Sequence, residues 1–222
     1  MSYGLIFDMD GVLADTESLI ARATIKMFRE LYDAELEPED FRPFIGTGAV
    51  RYVEGPAEKR GIQIDIDRAV QQRHENFVAL LEAGECRACP GAVELIEAAS
   101  EAGWKLAIAT SSPREKAETT LNAAKIPLAR FTTIVNGDMV HNKKPHPEIY
   151  ETACAAIELR PGGCVVVEDA VTGVEAAKAA GASCIGVTSS FGPEELCKAD
   201  LIVNSLLEVD VTALDKLVGK HV

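Results

Sequence analysis

From residue 91 onward the chain carries five short apolar runs, at 106–109, 133–135, 165–167, 184–187 and 201–203, separated by stretches of helical character. Runs this short, apolar without alternation and spaced by helices, are the pattern of parallel strands covered on both faces. One further run, Leu5-Ile6-Phe7, stands far ahead of the others. Between it and residue 82 the signals are helical. Leu19, Ile20, Ala23, Met27 and Leu31 recur at helical spacing behind Asp15 and Thr16, which can cap a helix, and further patches span 49–60 and 66–82. The pattern predicts an α/β fold. Residues 1–14 and 87–222 form a doubly wound, mostly parallel sheet domain, and residues 15–86 form an inserted α-helical cap domain.

In such sheets ligands bind at the carboxyl ends of the strands, so the polar residues there decide the chemistry. The first run ends in Asp8-Met9-Asp10-Gly11, the second in Thr110-Ser111-Ser112, and the run at 165–167 in Glu168-Asp169. Lys143-Lys144-Pro145 precedes a helix starting near Pro147. Carboxylates crowded onto one sheet edge repel one another unless a cation joins them. Oxygen ligands beside a phosphate are the setting of Mg²⁺, and Lys144 and Thr110 offer the charge and hydrogen bonding that a phosphoryl group requires. An EF-hand starting at Asp8 would need Gly and Glu where Leu13 and Leu19 stand. Gly46-Thr47-Gly48 lacks the third glycine of a dinucleotide site, and no lysine-bearing P-loop is present.

Charge narrows the partners. With 35 acidic against 22 basic residues the chain has a formal charge of −13, which repels nucleic acid and anionic membranes. A small phosphorylated metabolite is the expected partner, in a monomer. No apolar stretch has the length of a membrane span, and Asp8 and Asp10 interrupt the region where a signal peptide would be apolar, so a cytoplasmic location is expected. The six cysteines are then expected as thiols. Cys86-Arg87-Ala88-Cys89 has redox-motif spacing, but the reading here is two ordinary thiols without metal. His74, His141, His146 and His221 show no ligand spacing and are given no role.

"FDMDGVLADT", "IATSS", "KKPHPEIY" and "VVVEDAVTGVEAAKAAG", in this order, resemble the four motifs of the haloacid dehalogenase superfamily. The chain is most similar to the β-phosphoglucomutase-like phosphatases with a small helical cap. The resemblance implies a Mg²⁺-dependent phosphatase of small phosphorylated metabolites, sugar phosphates above all. By it, Asp8 is the nucleophile and Asp10 the general acid/base. Thr110 and Ser111 hold the phosphoryl group and Lys144 neutralises it. Asp8, the Asp10 carbonyl and Asp169 bind Mg²⁺ with help from Glu168. "PFIGTGAVRYVEG" looks like a cap segment of that subgroup and makes Gly46 and Arg51 candidates for contacting the rest of the substrate. Two alternatives are a β-phosphoglucomutase-type phosphomutase and a non-catalytic protein that binds phosphometabolites. The mutases carry a histidine ten residues after the second aspartate, where this chain has Ile20. The small residues Ala176, Ala177, Ala179, Ala180 and Gly181 are expected to allow close packing of a helix on the sheet.

Overall fold

The computed structural model describes residues 2–218, so His221 lies outside the described residues. β1 (Gly4–Phe7), β2 (Lys105–Ala109), β3 (Thr133–Val135), β4 (Cys164–Glu168), β5 (Ser183–Val187) and β6 (Leu201–Val203) form one parallel sheet in the order β3-β2-β1-β4-β5-β6. The strand order reverses between β1 and β4, the place where a doubly wound sheet opens a crevice. Alternate residues face opposite sides. Ile6, Ala107, Val166 and Cys184 share one buried cluster with α7 (Glu148–Ala156) and α8 (Val171–Ala180). Leu5, Phe7, Leu106, Ile108, Val165 and Val167 face the other, with α5 (Ala92–Glu101) and α9 (Val211–Val218). Burial on both faces is why these strands read as unbroken apolar runs.

Between β1 and α5 the chain makes α1 (Glu17–Tyr32), α2 (Pro38–Phe41), α3 (Ala49–Arg60) and α4 (Ile66–Glu82). α1 and α4 pack against each other through Ala23, Met27, Phe28, Ala69 and Phe77, all buried. Tyr52 of α3 stacks on Phe41 with centroids 5.3 Å apart, and Phe28 lies 6.3 Å beyond. Back on the sheet side, α6 (Arg114–Ala123) follows β2 and meets α4. None of the helices among the described residues is long and apolar enough to cross a membrane.

Thr16 occupies the first cap position of α1, but its side chain does not cap the helix. Its backbone is already in the helical region there, and its hydroxyl donates to the buried carboxylate of Asp10 at 2.6 Å, a charge-assisted bond. The alanines of α8 also divide. Ala176 and Ala177 are fully buried against the sheet, as expected, but Ala179 is exposed and Gly181 ends the helix at φ +86° with open space around it. Gly173 is the glycine that close packing demands. A Cβ there would stand 1.8 Å from Oε1 of Glu168. That carboxylate is pinned by Lys144, Tyr150 and two backbone N–H groups and cannot retreat.

The segment carrying Lys144 is anchored from below. Glu148, in the first turn of α7, accepts the backbone N–H groups of His141 and Asn142 at 2.8 and 2.9 Å and the Asn142 side-chain amide at 2.8 Å. These donors favour the ionised form and lower its pKa to about 2.

Two outcomes follow. Gly173→Ala should destabilise the protein by about 1–3 kcal/mol in urea unfolding, since the added methyl must displace a pinned carboxylate. Because the folded pKa of Glu148 is depressed, its contribution is present above about 4.5 and disappears as pH falls towards about 2. Glu148→Gln should therefore lower the midpoint at neutral pH, and the gap from wild type should close as pH drops through that window.

Candidate active site

Asp8 is the first residue beyond β1, and its N–H still donates to Val167 of β4 at 3.0 Å, so the backbone is locked between two strands. The side chain is buried. Lys144 reaches it from the loop before α7, with Nζ 2.5 Å from Oδ1, and the same ammonium lies 2.6 Å from Oε1 of Glu168. Tyr150 of α7 donates to that Glu168 oxygen at 2.5 Å, while Oε2 accepts the N–H groups of Asp169 and Ala170, each at 3.0 Å. Both oxygens of Glu168 thus hold two hydrogen bonds, which fixes the lysine that touches Asp8. Asp169 receives the hydroxyl of Ser190. Gly11, at φ +77°, passes so close that a Cβ would meet Asp169 Oδ2 at 2.0 Å.

One oxygen from each of Asp8, Glu168 and Asp169 falls within 4.8 Å of the others. Three carboxylates with one ammonium leave an excess of two negative charges in a buried site. Burial pushes Asp8 up to about 7, with Glu168 and Asp10 adding to the push and Lys144 opposing it. Burial, then Glu168 and Asp8, raise Asp169 well above the carboxylate range. Burial works against the Lys144 ammonium, but Asp8 and Glu168 outweigh it and keep the lysine charged. Hard oxygen donors alone, with an uncompensated double charge, suit a Mg²⁺-like dication. Asp8 and Asp169 keep an oxygen clear of the hydrogen bonds described above; Glu168 does not.

Asp10 has a different setting. Its carboxylate accepts from Thr16 at 2.6 Å, from Ser112 at 3.0 Å and from Lys116 of α6 at 2.9 and 3.0 Å. Burial pushes its pKa up, yet Lys116 and these hydrogen bonds outweigh it and hold Asp10 below its ordinary value. Two aspartates one residue apart are thus driven in opposite directions by their surroundings. The side chain of Asp10 is taken up by Thr16, Ser112 and Lys116 and is not part of the three-carboxylate group, which leaves its backbone carbonyl for the metal role that the motif implies. Thr110 is buried at the end of β2, with Oγ1 accepting the N–H of Ser112 at 3.1 Å.

These groups open into a cavity of about 310 Å³ shared with the helical insertion. Thr110, Ser111, Ser112 and Lys116 line it from the sheet side, and Glu17, Ile20, Tyr52, Arg73, His74 and Gly46 from the insertion. Gly46 rests on Ala170 and Thr172, and Arg42 pairs with Glu195 at 3.0 Å across the same junction. Arg51, expected at the substrate, is instead at the surface, bound to Glu54 and Glu58 at 3.3 and 2.7 Å. The expected motif also omitted Lys116, Tyr150, Glu17 and Arg73. Lys116 and Arg73 carried a signal: each is a cation on the apolar stripe of its helix, beside Ala117, Thr120 and Leu121 in α6 and between Ala69 and Phe77 in α4. Cys86 and Cys89 flank the short pairing of Ala14 with Ala88, and burial first pushes their thiols up to about 11 and about 12, far from the thiolate that redox chemistry uses.

Known proteins resemble this chain in sequence and in fold. The profile of the haloacid dehalogenase-like hydrolases matches residues 5–187. The chain is 34% identical over 226 residues to the phosphorylated carbohydrates phosphatase of Thermotoga maritima, covering 92% of this chain and 98% of that one. It is 37% identical over 191 residues to the chloroplastic protein SUPPRESSOR OF QUENCHING 1 of Arabidopsis thaliana, aligning 84% of its own length with only 18% of that longer protein. The crystal structure of CbbY from Rhodobacter sphaeroides in complex with phosphate superposes with a TM-score of 0.84 at 33% identity, over 97% of this chain and all of that one. With a profile match across most of its length, and relatives a third identical, the chain belongs to the haloacid dehalogenase-like hydrolase family, in its β-phosphoglucomutase-like phosphatase branch.

Proposed function

We propose that the protein is a Mg²⁺-dependent phosphatase of small phosphorylated metabolites, sugar phosphates in the first place, working through an aspartyl phosphate on Asp8. The observation that carries this reading is the lysine-bound Asp8 inside a buried group of carboxylates, with an oppositely tuned Asp10 in the same cavity. Asp8 and Asp169, with the carbonyl of Asp10, would hold the metal, which when bound neutralises the excess charge and draws the phosphoryl oxygens towards the nucleophile. Lys144 holds the other side of the phosphoryl group, fixed there by Glu168 and, through Glu168, by Tyr150. Thr110 and Ser111 offer hydrogen bonds to its oxygens. Asp8 attacks phosphorus and the ester oxygen leaves. Asp10 gives that oxygen its proton, then takes one from the water that cleaves the acyl phosphate. Held ionised by Lys116, Asp10 is set for the second step; to serve the first it must enter the cycle protonated, with Lys116 displaced, and the proton it later takes from water restores that form. Residues 15–86 act as the cap that shuts water out during the first step. Ile20, in the cavity wall and buried, supplies no proton relay, which favours hydrolysis over mutase turnover.

Asp8→Asn should abolish phosphate release while leaving the circular dichroism spectrum unchanged. Asp10→Asn should slow sugar phosphates far more than aryl phosphates, whose leaving groups need no proton; equal losses would remove Asp10 as the acid.

In the absence of divalent metal, Asp169→Asn should melt higher than wild type, because it removes a carboxyl that must either take up a proton or hold a charge that burial, Glu168 and Asp8 all penalise. Wild type should gain stability on titration with Mg²⁺ and the variant should gain little. Calorimetric melting with and without a chelator reads both effects, and an identical Mg²⁺ response in the two proteins would exclude Asp169 as a ligand.

A further inference from the structure

Glu168 is the member of the three-carboxylate group whose oxygens are already taken. Oε1 accepts Lys144 Nζ at 2.6 Å and the Tyr150 hydroxyl at 2.5 Å, and Oε2 accepts the N–H groups of Asp169 and Ala170, each at 3.0 Å. These four donors differ in what else they do. The two N–H groups belong to the backbone leading into α8 and would be there whatever side chains it carried. Lys144 is shared with Asp8. The Tyr150 hydroxyl, among the described residues, is bound to Glu168 alone. Tyr150 is completely buried, and the centre of its ring lies 5.0 Å from the Lys144 ammonium. A phenylalanine would fill the same space and keep the ring against that ammonium. Neither packing nor the lysine therefore calls for the hydroxyl. The group it acts on is Glu168.

The effect falls on the metal site. Glu168 has an oxygen within 4.8 Å of ligand oxygens on Asp8 and Asp169, close enough to join them around one ion. To do so it must give up donors, and a hydrogen bond to a carboxylate is one of the stronger kinds to break. Without Tyr150, Oε1 would hold a single donor. With Glu168 held back, the chain offers two carboxylates and the carbonyl of Asp10. Such a set suits Mg²⁺, which takes one or two carboxylates and keeps several waters. Ca²⁺ collects about six to eight oxygens and gains most from a further carboxylate.

We infer that Tyr150 is a positioning residue for metal choice: by holding Glu168 out of the coordination sphere, its hydroxyl keeps the site selective for Mg²⁺ over Ca²⁺. This rests on the metal in the phosphatase reading and adds a residue, outside the ligand set, that selects the ion. The hydroxyl acts only through Glu168.

Tyr150→Phe removes the hydroxyl and little else. Calorimetric binding of Mg²⁺ and of Ca²⁺ to wild type and variant reads the preference without turnover. Ca²⁺ should bind the variant about tenfold more tightly, the scale of one hydrogen bond to a charged group, and Mg²⁺ affinity should stay within about threefold. Adding Glu168→Gln to Tyr150→Phe should cancel the gain. A ratio of Mg²⁺ to Ca²⁺ affinity that Tyr150→Phe leaves unchanged, even beside a lower melting temperature, would reduce the hydroxyl to a structural group and overturn the assignment. A gain that survives Glu168→Gln would overturn it too. Both outcomes leave the phosphatase reading intact. If Tyr150→Phe does not fold, crystals of wild type soaked with each ion decide it. Glu168 outside the coordination sphere supports the inference, and a Glu168 oxygen within about 2.6 Å of either ion refutes it. Absence of binding of both ions to wild type would instead remove the metal from the phosphatase reading, and this inference with it.

Discussion

Bringing Asp8, Glu168 and Asp169 within 4.8 Å of one another, in a site from which bulk water is excluded, opposes folding. The rest of the site can be understood as the response to that repulsion. Lys144 cancels one charge and is itself held by two carboxylates. The backbone N–H groups at the start of α8 and the hydroxyl of Tyr150 take the lone pairs of Glu168. The glycine at 173 clears the space that this carboxylate fills. What remains is the excess on Asp8 and Asp169, and it remains where a cation and a phosphoryl group would enter. A fold that relieved the last of the repulsion internally would have no affinity left for either.

Much of this was legible in the sequence, because strand ends and short motifs carry their own signals. The apolar runs mark β2 to β6, and the two helical patches at 49–60 and 66–82 coincide with α3 and α4. Asp8, Lys144, Glu168 and Asp169 come together as the strand-end reading expects, since a parallel sheet brings all its carboxyl ends to one edge. The division of labour inside that group was not legible. Whether Glu168 is an open ligand or a saturated clamp depends on Tyr150 and on two N–H groups, and no spacing rule states this.

Helix faces were read less well than strand ends. Thr16 looks like a helix cap until Asp10 is seen behind it, and Arg51 looks like a substrate ligand until Glu54 and Glu58 are seen beside it. In both cases a side-chain partner, invisible along the chain, took the group. Lys116 and Arg73 show the converse. A cation set in an apolar stripe is costly unless something satisfies it, and that mismatch is visible in the sequence alone. For Lys116 the partner is Asp10, in the same chain.

The order of the sheet has a consequence for how the protein is made. β1, which carries Asp8, lies at the centre, with Gly4 paired to Lys105 on one side and Cys164 on the other. Neither neighbour is near it in sequence, so a nascent chain emerging from the ribosome presents this strand long before anything can pair with it. Closing such distant contacts is slow, and until then Leu5, Ile6 and Phe7 are an exposed apolar edge. The helical insertion, whose contacts are local, can assemble in that interval. It would wait beside an unpaired strand, and the pairing of β4 would then complete the central sheet and the carboxylate cluster in one event.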